Sequence, residues 1–131
     1  MIEIPVKTSK RNQFVDLTQE IQRAVDESGV KSGLCVVYCP HTTAAITINE
    51  NADPSVQVDI VGKLSKLVPE GEGYSHAEGN SDSHIKSAII GNSRIVLVQD
   101  KKLVLGQWEG IFFCEFDGPR ERKLIVSVLS E

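Results

Sequence analysis

Only three cysteines occur in the 131 residues, and no two of them form a CxxC pair. Cys35 and Cys39 fall on what reads as one strand, roughly 13 Å apart at the usual rise per residue, too far to bridge. Cys114 is then unpaired as well, so a disulfide scaffold is excluded and the isolated thiols fit a reducing cytoplasm. Basic residues are short too: 14 Lys and Arg against 18 Asp and Glu leave a net charge of −4. Nucleic acid is therefore not an expected partner, because phosphate backbones call for a basic face. No apolar run approaches a membrane span, and Met1-Ile2-Glu3-Ile4-Pro5-Val6-Lys7 lacks the basic-then-apolar order of a signal peptide, so no membrane association is expected. The phosphate-binding GxxxxGK[ST] and GxGxxG, the nucleophile elbow GxSxG and the zinc motif HExxH are all missing. His76-Ala77-Glu78 has the spacing of a deaminase HxE, but the PCxxC that should accompany it is absent.

Aromatics are few, four Phe, two Tyr and one Trp, and the apolar residues are dominated by 15 Val and 12 Ile against nine Leu and six Ala. That β-branched excess favours strands over a helical bundle. With 40% hydrophobic and 24% charged residues the chain has the composition of a globular protein. Its length suits one domain, residues 1–131, able to bury a core without a metal or disulfide.

Ile2, Ile4 and Val6 alternate with other residues as a half-buried strand does, and Phe14-Val15 continues the pairing after a turn at Ser9 to Asn12. Asp16 can cap a helix whose stripe is Leu17, Ile21, Ala24 and Val25, and Gly29 stops it. Gly33 to Cys39 reads as a strand buried on both faces, and Ala44 to Ile48 as its neighbour. Asp53-Pro54 opens a second helix, with Val56, Ile60, Leu64 and Leu67 or Val68 on one face until Pro69. Periodicity vanishes over Glu70 to Ser83, a Gly-containing loop of a length that is usually functional. A short helix follows with Ile85, Ala88 and Ile89 expected inward and Gly91 as terminator. Strands at Ile95 to Val98, Leu103 to Leu105, Gly110 to Phe116 and Arg122 to Leu129 complete the chain. The strand through Phe112, Phe113 and Cys114 is apolar on both sides, so it is either sandwiched in the core or covered by another subunit. The fold class is α+β, mostly antiparallel strands packed as a sandwich with about three helices.

Every histidine falls at an element end or in irregular chain. His41 follows a buried strand in Cys39-Pro40-His41-Thr42-Thr43, His76 lies in the Gly-containing loop, and His84 opens the short helix. Imidazole is the commonest metal ligand, and three with an open fourth position form a hydrolytic zinc arrangement, so His41, His76 and His84 are a candidate metal set. Cys39 competes as a ligand but reads better as a small buried hydrophobe. Glu50 is a candidate proton acceptor and Asp53 a helix cap. Glu115, on a strand face with Ile111 and Phe113, calls for Arg120 or Arg122 as a partner. Arg120 closes a rigid turn and is shaped to grip phosphate or carboxylate, while Trp108 between two glycines reads as an interface or core plug.

Four motifs in order now point to one family: His41-Thr42-Thr43-Ala44 with Thr47-Ile48-Asn49-Glu50-Asn51; His76-x-Glu78-Gly79-Asn80-x-x-x-His84; Leu105-Gly106-x-Trp108 with Gly110-Ile111; and Glu115-Phe116-Asp117-Gly118-Pro119-Arg120. Together they resemble the YjbQ-like family, associated with secondary thiamine-phosphate synthesis. The resemblance implies a homotrimer with a site at the subunit boundary and a divalent metal held by His41, His76 and His84, zinc favoured and magnesium possible. It implies an enzyme that joins a hydroxymethylpyrimidine diphosphate to a thiazole phosphate with release of pyrophosphate. In that reading His41 and Glu50 are catalytic, Thr42, Thr43, Asn80 and Arg120 hold phosphate, and the partner is a small phosphorylated metabolite. The alternative is a non-enzymatic trimeric module that binds metal or a phosphorylated metabolite. Gln107 and Glu109 around Trp108 depart from the family's usual Gly-Thr-Trp-Gln.

Overall fold

A computed structural model describes all of residues 1–131. In chain order the elements are β1 (Ile2–Lys7), β2 (Gln13–Asp16), α1 (Thr18–Ser28), β3 (Gly33–Tyr38), β4 (Ala44–Glu50), α2 (Pro54–Leu67), α3 (Ser81–Ile90), β5 (Ser93–Gln99), β6 (Lys102–Leu103), β7 (Glu109–Glu115) and β8 (Glu121–Ser130). The class is α+β, with three helices and two sheets whose pairings are all antiparallel. One sheet has the order β1-β8-β3-β5-β6 and the other β2-β7-β4.

The caps follow local chemistry. Asp16 Oδ1 accepts the Thr18 N–H and hydroxyl at the start of α1, and Gly29 ends that helix at φ 70°, a left-handed conformation that Gly adopts without a Cβ penalty. Asp53 Oδ1 accepts the Ser55 N–H ahead of Pro54, so the expected cap of α2 is present.

The main core lies between the inner faces of the two sheets. Ile4, Val6, Cys35, Val37, Val96, Val98, Leu124 and Val126 from the larger sheet meet Ala44, Ile46, Ile111 and Phe113 from the smaller, and Leu17, Ile21 and Val25 of α1 close one end. All three thiols are buried and unbridged. A second cluster, Ala45, Phe112, Cys114 and Phe116 with Leu64, fills the other side of the small sheet, where Ile60 of α2 and Ile90 of α3 pack on it. The doubly apolar strand β7 is therefore covered within its own chain and offers no face to another subunit.

Two further expectations are corrected. The run beginning at Gly33 is buried on one face only: Cys35 and Val37 point inward, while Leu34 and Tyr38 are exposed. With Ile95, Leu97 and Leu129 they form an apolar outer face on the large sheet that nothing in the chain covers. Helix α3 is turned the other way from its hydropathy. Its buried residues are Asp82, Ser83, Lys86 and Ser87, while Ile85, Ala88 and Ile89 are exposed. Both sets obey the i, i+4 spacing of a helix face, so periodicity does not choose between them. Polar bonds do: Lys86 Nζ sits 3.0 Å from Asp82 Oδ2, and the Ser83 hydroxyl donates to the Phe116 carbonyl at 2.5 Å.

Candidate functional site

Three grooves meet along one side of the molecule, and two histidines join them. A groove of about 620 Å³ at the β1/β8 end is lined by Lys7, Lys123, Glu121, Arg122 and His41 together with Pro5 and Val6. His41 also lines a second groove, of about 400 Å³, with Thr42, Ala44, His84, Ser87, Ala88, Gly91 and Asn92. His84 in turn lines a third, of about 390 Å³, with Tyr74, Ser75, His76, Ser81 and Ile85. No Lys, Arg, Asp or Glu lines the second or third groove.

His41 is fixed by backbone. β3 stops at Tyr38, opposite Ile125, and Pro40 has no N–H with which to extend the ladder along β8. The His41 ring takes its place, with Nε2 3.0 Å from the Lys123 nitrogen and 3.1 Å from its carbonyl oxygen. In one tautomer Nε2 accepts the Lys123 N–H, in the other it donates to the carbonyl. Either way Nδ1 is the ring nitrogen left for a ligand. Burial, followed by the Arg122 guanidinium, holds the imidazole below its ordinary pKa.

Beneath it lies a buried ion pair. Glu115 is fully buried. It accepts from Arg122 Nε at 2.8 Å and Nη2 at 2.6 Å, from the Thr8 hydroxyl at 2.8 Å, and from the Phe116 and Asp117 N–H groups. Burial alone would raise its pKa, but the hydrogen bonds from Arg122, the Asp117 backbone and Thr8 outweigh it and hold the carboxyl below its usual range. Of the two partners foreseen for Glu115, the structure chooses Arg122.

Ser87 forms part of the groove wall between His41 and His84. It is 8% exposed, and its hydroxyl oxygen is buried with no hydrogen-bond partner. A hydroxyl out of water and without a partner costs on the order of 1–3 kcal/mol, so a ligand atom that pairs with it recovers that cost.

The expected site residues are brought together only in part. His41, Thr42 and His84 share a groove, and the His76 ring stands edge-on to His84 with centroids 5.3 Å apart. Nowhere do His, Cys, Asp and Glu side chains gather into a group of three able to hold a metal ion. His41 and His84 share a groove and His76 adjoins His84, but the three imidazoles do not form one group within the chain. Thr43 is buried, and its hydroxyl accepts from Arg122 Nη2 at 2.7 Å, which makes it part of the core network and not a phosphate contact. Asn80 Nδ2 donates to Asp117 Oδ2 at 2.9 Å. Arg120 Nη2 lies 3.1 Å from the same carboxylate and its Nε donates to the Asp117 carbonyl, so Asp117 orients both the amide and the guanidinium expected to hold phosphate. Glu50 ends β4, roughly 20 Å along the strand from Ala44, and its carboxylate accepts the Asp53 N–H. It cannot exchange a proton with His41 within one chain. Trp108 is exposed, in the turn before β7, and plugs no core.

The whole chain matches one family: residues 2–131 fit the model described as UPF0047 protein YjbQ-like. The chain belongs to the YjbQ-like family. It is 51% identical over 131 residues to a UPF0047 protein of Methanocaldococcus jannaschii, covering 100% of this chain and 95% of that one. The structure superposes on a crystal structure of an uncharacterized YjbQ/UPF0047 family protein from Clostridium acetobutylicum with a TM-score of 0.97 at 53% identity, covering 98% and 100% of the two chains. A protein from Sulfolobus solfataricus, TM-score 0.95 at 34% identity with 99% and 96% coverage, is described as YbjQ-like and of unknown function. These YjbQ-like proteins, alike over the whole chain, are not named for thiamine-phosphate synthesis, which overturns the activity that the resemblance implied.

Sequence reasoning missed Ser87, Lys7 and Lys123. Ser87 was discoverable, since it stands one turn after Ser83 on the polar face of α3. The lysines come together only through the β1/β8 pairing of Lys7 with Glu121 and Pro5 with Lys123, which no local motif announces.

Proposed function

We propose that the linked grooves bind a small phosphorylated metabolite, its anion at the Lys7 and Lys123 end and its uncharged portion running past His41 to Ser87 and His84. The observation that carries this reading is the unpartnered, buried Ser87 hydroxyl in a groove shared by two imidazoles. The basic groove supplies charge, and His41 belongs to both. His84 lines both the second and the third groove, which places its imidazole to exchange a proton with a bound ester, and an enzymatic role rests on it.

The test is calorimetric titration of the purified chain with inorganic phosphate and a panel of phosphate monoesters. Binding is expected to fall about tenfold when Lys7 and Lys123 are both changed to Gln. Loss of about fivefold is expected for esters, and not for inorganic phosphate, in Ser87→Ala. Absence of binding across the whole panel would overturn the reading.

The exposed apolar face of Leu34, Tyr38, Ile95, Leu97 and Leu129 favours self-association, and we propose a homotrimer built on it, in the reducing cytoplasm that three free thiols suit. No helix of the chain is long and apolar enough to cross a membrane.

A further inference from the structure

The segment from Glu70 to Asn80 carries His76 to the edge of His84, yet almost nothing apolar holds it. Residues 70–73 and 75–79 are exposed, and Tyr74, the half-buried exception, spends its hydroxyl on the Pro69 carbonyl at 2.6 Å. Asn80 ties its far end to Asp117, and one side chain from the turn between β1 and β2 reaches both ends. Arg11 Nε lies 3.3 Å from Glu70 Oε1 at the start of the segment. Its Nη2 reaches the Gly79 carbonyl at 3.4 Å and Asp82 Oδ1 at 3.0 Å at the other end, and its Nη1 lies 3.6 Å from Asp117 Oδ1. A single planar guanidinium thus spans both ends of the His76 segment.

We infer that Arg11 is a positioning residue: it closes the Glu70–Gly79 loop and so presents His76 to His84. As a site role this rests on the reading of the His84 grooves as the ligand site. Two physical points support it. The rigid fork of donors lets Arg address four acceptors at fixed angles, which the point charge of Lys cannot do. Holding the two ends of a flexible segment together also removes most of its closure freedom without any contact along its length. The two grips differ in strength. Asp82 is 1% exposed and bonded to both Arg11 and Lys86, whereas Glu70 is exposed and its close approach to Nε is not aligned as a hydrogen bond. The Glu70 end is therefore where the loop releases, and the Asp82 end is its anchor.

The test compares the full chain with Arg11→Lys and with Glu70→Gln, the milder variant in case the first disturbs folding. Amide hydrogen exchange across residues 71–79 is expected to accelerate at least tenfold in Arg11→Lys and by a smaller factor in Glu70→Gln. Amides of β7 should keep their wild-type rates, and the nuclear Overhauser contact between the His76 and His84 rings should weaken. Unchanged exchange over 71–79 in both variants overturns the inference, as does acceleration spread equally through β7, which would mark Arg11 as a general stabiliser. Phosphate titration of the unmodified chain keeps the two readings apart. If phosphate binds but the loop exchange does not respond, the clamp alone fails. If the loop loosens but nothing phosphorylated binds, the ligand reading fails and Arg11 remains a loop clamp with no site role.

Discussion

Arg122 Nη2 lies 2.6 Å from Glu115 Oε2, with both side chains almost entirely out of water, and the same nitrogen donates to Thr43. Thr43 and Glu115, both from the motifs that carry the family resemblance, are thereby committed to the interior. Glu115→Gln leaves the guanidinium buried without its counter-charge and is expected to destabilise the fold by about 3 kcal/mol, measured by urea denaturation at pH 7.

The same carboxyl sets the acid limit. Its folded pKa is depressed below the unfolded value of about 4.3. Its contribution is therefore complete above that unfolded value and is lost as pH falls through the folded one. Denaturation midpoints followed downward from pH 5 should drop more steeply in the parent chain than in Glu115→Gln.

His41 acts in a higher window with the same sign of slope. Its folded pKa is lowered by burial and Arg122, so the unfolded chain takes up a proton first and stability falls as pH drops below about 6.5. His41→Phe should flatten the pH dependence of stability there. A nitrogen-15 NMR titration should place the His41 midpoint below that of the unfolded chain's histidines, and a midpoint at or above theirs would contradict the prediction.

Helix α3 gives an inverted substitution pattern. Ile85→Gln and Ile89→Gln, on its exposed side, are expected to change monomer stability by no more than about 0.5 kcal/mol. Lys86→Ala, which strips a partner from buried Asp82, is expected to cost about 3 kcal/mol. Chemical denaturation of the three variants decides between this orientation and the one hydropathy suggests.

On the large sheet, Ile95→Lys combined with Leu97→Lys should shift the chain toward monomer in light scattering coupled to size exclusion, while preserving its circular dichroism. An unchanged mass would remove this face as the association surface.

Features that depend on neighbours along the chain were legible in advance. Asp53-Pro54, Gly29 and the alternation of Ile2, Ile4 and Val6 each report a local backbone preference, and each lies where expected. Features that depend on partners remote in sequence were not. Thr43 looked like an anion contact because its hydroxyl sits beside His41, but Arg122, 79 positions later, claims it. Glu50 is near His41 by number, yet β4 carries it away in a straight line. α3 misled because its two faces share one period, and only Phe116, reached through Ser83, shows which is inside. His41 and His84 were found because imidazoles are rare here; Ser87 was passed over because serines are common.

β8 lies inside the large sheet, between β1 and β3, although it follows every other strand in the chain. During synthesis β1 is made first and has no pairing partner until the last strand emerges. A nascent chain that stalls before Glu121 displays an unpaired β1 and an open edge of β3, surfaces of the kind that chaperones and proteases recognise. The outermost strand β1 is thus covered only after β8 has been made and paired with it.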